Sequence, residues 1–178
     1  MATFVRDPEP VELQELRERR EQLGLDHYDE VWQGVLHMNP PPTGEHQLVL
    51  QQLAELLGPL ARQAGLVPLL NEFGLGREGK DNYRVPDGGL HRGVPRGIYQ
   101  PTAALVVEIV SPGDESWVKL PFYAAHDVDE VLIVDPQERS VSWLSVEAGT
   151  YSPIERSGLI DLGPDELSRL IDWPTIDS

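Results

Sequence analysis

Ala103-Ala104-Leu105-Val106-Val107-Glu108-Ile109-Val110 is an apolar run broken by a single carboxylate. A segment of this length without polar alternation reads as a central β-strand buried on both faces. Glu108 is the exception in it, because a lone buried carboxylate costs several kcal/mol unless it is paired, protonated or bound to a cation. A salt bridge to a nearby arginine and a functional site explain it equally well.

Working outward, Ser111-Pro112-Gly113 turns the chain out of this strand, and Asp114 is suited to cap a helix over about 115–126. That helix places Lys119 and Tyr123 on one face at i, i+4, although Pro121 blurs where it begins. Further strands are expected at 130–135 and 140–146, and a short helix from Pro164 to Ile171. Glu130 and Asp135 flank their strand and read as structural or turn-forming. Upstream, strand-like segments lie at 66–73 and 82–87, separated by loops rich in Gly, Pro and Asp.

The clearest helical period runs from Gly44 to Gly65 through Val49, Leu53, Leu56, Leu57, Leu60 and Ala64, with Pro59 expected to kink or split it. Before it, residues 28–38 read as a hairpin turning at Gln33-Gly34 and stopped by Pro40-Pro41-Pro42. Asp7-Pro8 suits a helix start, followed by Val11, Leu13, Leu16 and Leu23. This order predicts an α/β (α+β) domain with a mixed sheet, comprising a helical arm over 1–27 packed on a single domain over 28–178.

The 178 residues suffice for one sizeable core, and 40% apolar content supports a folded chain. The absence of cysteine excludes disulfides and thiolate metal sites and suits a reducing cytoplasm, the expected location. Met1 to Pro10 lacks the apolar stretch of a secretory signal, and no run is long enough to span a bilayer, so no membrane association is expected. The formal charge of −16 argues against a broadly basic nucleic-acid-binding surface. Between residues 77 and 96, however, Arg77, Lys80, Arg84, Arg92 and Arg96 outnumber Glu78, Asp81 and Asp87. That cluster is either a solvated hairpin or a phosphate-steering patch.

Tyr83-Arg84-Val85-Pro86-Asp87 ends a strand-like segment and is followed by Gly88-Gly89, which alone reads as a turn. Beside Glu108 it gains interest, because two carboxylates at the ends of neighbouring strands can share a hard divalent cation such as magnesium. Lys119, one of two lysines with Lys80, could then orient or deprotonate water and stabilise phosphate charge, or be a solvated amine. His46 starts the long helix and reads as a helix-start residue bonded to backbone. Trp32, Trp117, Trp143 and Trp173 suit core packing more than an interface.

The order and spacing of Glu30-Val31-Trp32-Gln33-Gly34, Met38-Asn39-Pro40, His46, Arg84-Val85-Pro86-Asp87, Val106-Val107-Glu108-Ile109-Val110-Ser111-Pro112, Lys119 with Tyr123, and Glu130 through Ile133-Val134-Asp135-Pro136 resemble the Uma-two family of restriction-endonuclease-like proteins. The resemblance covers about residues 28–173 and implies a PD-(D/E)XK nuclease core, a mixed central sheet flanked by helices around an acidic metal cluster. It implies Asp87 and Glu108 as metal-binding carboxylates, Lys119 as a displaced lysine, and Glu30 and His46 as further site residues. The usual lysine position, two residues after the glutamate, holds Val110. Gln33 stands where the family often has Asp, Asp127 where it often has Gly, and Val131-Leu132 where it often has an aromatic pair.

The expected activity is hydrolysis of nucleic-acid phosphodiesters, with DNA as the substrate and magnesium or manganese as the cofactor. Weak affinity from the acidic surface would be relieved by a homodimer or another partner. The rival expectation is a nuclease-fold binding or assembly module, which the charge of −16 favours.

Overall fold

The structure is a computed structural model and describes residues 11–76, 81–111, 113 and 115–175. Asp7-Pro8, Arg77, Glu78, Lys80, Pro112 and Asp114 lie outside the described residues. The elements run α1 (Val11–Gln22), β1 (Glu30–Trp32), β2 (Val35–His37), α2 (Gly44–Gln63), β3 (Val67–Leu69), β4 (Gly74–Leu75), β5 (Gly88–His91), β6 (Tyr99–Gln100), β7 (Leu105–Ile109), α3 (Leu120–Ala125), β8 (Glu130–Asp135), β9 (Ser140–Glu147), β10 (Thr150–Pro153) and α4 (Pro164–Leu170). Short 3-10 turns at Asp26–Tyr28 and Ser116–Lys119 complete them.

The main sheet has the order β10-β9-β8-β7-β5-β3, in which β7 and β8 are parallel and every other neighbour is antiparallel. This is the mixed sheet expected, with β7 at its centre and all five β7 residues buried. Successive side chains on a strand point to opposite faces. Leu105, Val107 and Ile109 accordingly join the α2 and α4 layer, with Val49, Leu53, Leu57 and Leu167. Val106 faces the α3 layer, with Phe122 and Tyr123. Glu108, two residues on from Val106, shares the α3 face.

Local details explain where the chain departs from expectation. The 82–87 segment forms only isolated bridges, Val31 to Tyr83 and Leu75 to Arg84, and the strand proper is Gly88–His91. Gly88-Gly89 is therefore strand and not turn. Its glycines are needed for close packing, since a Cβ on Gly89 would sit 2.9 Å from the Leu105 carbonyl and one on Gly88 3.1 Å from the Leu70 backbone.

The expected 66–73 strand shortens to β3, and β4 lies just beyond it; β4, β6 and β10 had no clear sequence signal because each is so short or exposed. α2 runs through Pro59 as one element, and the helix expected over 115–126 divides into a 3-10 turn and a six-residue α3 with Pro121 in its first turn. Pro is well tolerated there because its missing N–H has no helical partner to lose. The β1–β2 hairpin does turn at Gln33-Gly34, both with positive φ (51° and 84°), as a two-residue hairpin of the primed type requires. Asp127, where the family often has Gly, also adopts a left-handed φ of 54°.

α1 is tied to the β1–β2 region by Arg20, whose guanidinium pairs with Asp29 and donates to the carbonyls of Leu25 and Asn39. Among the described residues, no helix is long and apolar enough to cross a membrane.

The buried Glu130 carboxylate accepts hydrogen bonds from Trp143 Nε1 (2.8 Å), Ser157 Oγ (2.6 Å) and Gly158 N (2.8 Å), fastening the segment before α4 onto the sheet. Glu130→Ala strands two buried donors and is expected to destabilise the protein by about 3–5 kcal/mol. Urea unfolding should show this as a lower midpoint with an unchanged m-value.

Candidate active site

Three separate elements deliver side chains to the Glu108 end of β7. Because Gly88 of β5 pairs with Val107, Asp87 falls beside the last residues of β7, and its Oδ2 accepts the Ile109 N–H at 2.7 Å. From the α3 layer, Lys119 Nζ lies 3.2 Å from Glu108 Oε1 and 3.4 Å from Oε2, and the Tyr123 hydroxyl donates to Glu108 Oε1. From β1, Glu30 Oε1 pairs with Lys119 Nζ at 2.9 Å. The sequence-predicted residues Asp87, Glu108, Lys119 and Glu30 thus meet in one place.

His46 joins them from the other layer. Thr43 caps α2 by accepting the His46 N–H, and this first turn sets the buried imidazole with Nε2 3.0 Å from Asp87 Oδ1 and Nδ1 3.3 Å from Ser111 Oγ. His46 is therefore both the backbone-bonded helix-start residue and a neighbour of the acidic pair. Its position orients the Asp87 carboxylate, whose second oxygen is fixed by Ile109.

Glu30 is held as firmly as Glu108. Its Oε1 accepts the Val85 N–H at 2.8 Å and its Oε2 accepts Trp32 Nε1 at 2.7 Å. Arg84, one of the cluster that reads from sequence as either a solvated hairpin or a phosphate-steering patch, turns inward and is buried. Its guanidinium lies 4.2 Å from the Trp32 ring and 4.2 Å from the Phe122 ring, with Nη1 donating to the Val31 and Tyr83 carbonyls. Such a desolvated cation over aromatic faces locks β1 against α3. Arg92 is exposed but paired with Asp129 at 2.6 Å, which leaves Arg96 as the exposed cation outside an ion pair among the described residues of the cluster. Sequence reasoning missed the roles of Trp32 and Arg84; the i, i+2 spacing of Glu30 and Trp32, which share a strand face, was the available signal.

The electrostatics follow from burial. Glu108 is 3% exposed, and burial pushes its carboxyl up to about 8, with Asp87 and Glu30 adding repulsion and Lys119 and Tyr123 opposing the rise. Burial alone would lower the Lys119 ammonium, but Glu108 and Glu30 outweigh it and hold Lys119 above its ordinary value. Burial and the same two carboxylates raise Tyr123 well above its ordinary range. The site therefore holds a protonated lysine and a phenol, with a carboxyl poised near neutrality.

Six strands in this mixed order, with an acidic pair at the end of the central strand and a lysine against it, define a restriction-endonuclease-like core. The sequence matches the Uma2 family, described as "Putative restriction endonuclease", over residues 13–170, and the chain belongs to that family. The fold is also that of a crystal structure from Anabaena variabilis, described as a "putative nuclease belonging to DUF820". It superposes with a TM-score of 0.61 at 16% identity, covering 80% of this chain and 90% of that one. No curated protein matches the sequence.

The raised Glu108 pKa has a stability consequence with a definite sign. In the unfolded chain the carboxyl titrates near 4.5, so the folded state holds a proton that the unfolded state has lost, and stability falls as pH rises toward and through about 8. In chelator-treated protein the fall between pH 7 and 9 is expected to be about 1 kcal/mol. Burial lowers His91, so its opposite contribution lies below this window. Urea unfolding at the two pH values should show the difference in wild type and its loss in Glu108→Gln.

Proposed function

We infer that the chain hydrolyses phosphodiester bonds of nucleic acid, with DNA as substrate, and that Asp87 and Glu108 hold a magnesium or manganese ion. The observation that carries this reading is the convergence of Asp87, Glu108, Lys119 and Glu30 at one end of β7, with Glu108 buried where its charge needs a partner.

The donor set suits a hard cation. It is all oxygen, and a dication would offset the burial penalty, and the smaller carboxylate repulsion, that raise Glu108. Among the described residues, no group of three or more His, Asp or Glu side chains forms a metal cage. Magnesium needs no such cage, since one or two carboxylates suffice when water and substrate phosphate complete the shell. When bound, the ion would supply Lewis-acid polarisation of the phosphate and acidify water.

The chain's own groups do the rest. Lys119, kept protonated by Glu30 and Glu108, serves as a fixed cation for developing phosphate charge rather than as a base. Glu30 holds that ammonium in place. His46 and the Ile109 N–H orient the two oxygens of Asp87.

A second reading, a nuclease-fold binding or assembly module, is favoured by the charge of −16, which opposes phosphate binding by the surface at large. One experiment separates the two. Cleavage of single- and double-stranded DNA and RNA is followed with magnesium or manganese, using variants checked for folding. Asp87→Ala, Glu108→Ala and Lys119→Met should each lose on the order of 10²–10⁴-fold in rate, and Glu30→Gln about 10–100-fold. Stable binding without turnover by wild type would leave the module reading standing instead.

A further inference from the structure

The 3-10 turn Ser116–Lys119 divides sharply between inside and outside. Ser116 and Lys119 are buried, whereas Trp117 and Val118 are 52% and 63% exposed. In a 3-10 turn, residues three apart share a face. The turn that drives Lys119 onto Glu108 and Glu30 therefore holds an indole and an isopropyl group in solvent on its outer face, two residues and one residue before that lysine. Of the four tryptophans, Trp143 is buried, Trp32 and Trp173 are half-buried, and Trp117 alone stands exposed.

Two physical arguments choose what would cover this patch. Its two side chains offer on the order of 200 Å², against about 800 Å² per partner in a stable protein interface, so the patch falls short as a dimer contact. It does match the area of one flat heterocycle. The site's cations, meanwhile, face inward: Lys119 is committed to two carboxylates and Arg84 lies between two rings. A chain of charge −16 whose Lys119 and Arg84 are engaged internally gains affinity from contacts that need no charge, and base stacking on an aromatic face is such a contact.

We propose that Trp117, flanked by Val118, is the stacking platform for an unpaired base of the nucleic acid whose phosphate reaches Asp87 and Glu108. The inference rests on the nuclease reading above. A base stacked within a duplex has no free π-face, so the platform selects single-stranded or splayed nucleotides over an intact helix. It also makes part of the affinity insensitive to salt.

The test uses the full chain with calcium in place of magnesium to slow turnover. Oligothymidylate and a blunt duplex of equal length serve as probes, at two salt concentrations. Tryptophan emission is expected to be quenched by the oligothymidylate and much less by the duplex. Trp117→Phe should keep the binding but lose most of the quench, and Trp117→Ala should bind about tenfold more weakly with an unchanged salt slope. With magnesium, Trp117→Ala should raise KM while leaving kcat near wild type.

Unchanged binding, quenching and KM in a folded Trp117→Ala protein would overturn the platform while leaving cleavage, and so the nuclease reading, intact. A wild type that neither binds nor cleaves any probe would overturn both. Conversion of a wild-type dimer to a monomer by Trp117→Ala, seen by sedimentation, would assign the patch to self-association and also overturn the proposal.

Discussion

Glu108 ionises against the grain of its surroundings, and much of the architecture at that end of the sheet answers this single constraint. It sits in the most buried strand, so it has no water to lean on, and its partners must come from other layers of the protein. Lys119 and Tyr123 arrive from the α3 layer, and Glu30 from a separate small sheet. Arg84, between Trp32 and Phe122, holds those two elements together. Replacing a buried ion pair by apolar residues is often neutral or stabilising, whereas removing one partner is severe. Stability alone therefore gives no reason to build such a network.

Lys119 meets Glu108 through tertiary contact and not through spacing along one strand. A residue two after Glu108 on the same strand shares its face, which is where the PD-(D/E)XK pattern places the lysine. Here that residue is Val110, packed against the α3-side core. Lys119 reaches the same carboxylate from the opposite direction, off the turn that leads into α3, and both Glu108 oxygens lie within 3.4 Å of its ammonium. The ammonium thus meets Glu108 across two layers of the fold and not along one strand.

The strongly acidic composition looks hostile to nucleic acid, but net charge describes long-range steering and not the local field at a site. The basic cluster around residues 77–96 contributes less to steering than its count suggests. Arg84 is internal and Arg92 is neutralised by Asp129.

The sequence by itself determined the elements with strong periodicity and the residues out of place in them. The apolar run around Glu108 announced a central strand, the Leu-rich period announced α2, and the positive-φ turn at Gln33-Gly34 closed a hairpin, because these depend on burial pattern and local backbone sterics. Asp87 and Lys119 were candidates on the residues alone, and the family resemblance added Glu30 and His46 as expected site residues. Only the tertiary structure decided that Asp87 precedes its strand instead of ending one, that Gly88-Gly89 is strand, that Arg84 points inward, and that Trp32 fastens Glu30. Each of these depends on what another part of the chain places alongside: the Leu105 carbonyl against Gly89, the Phe122 ring against Arg84, the Ile109 amide against Asp87. Sequence spacing carries periodicity along one element, and it does not carry the distance between two.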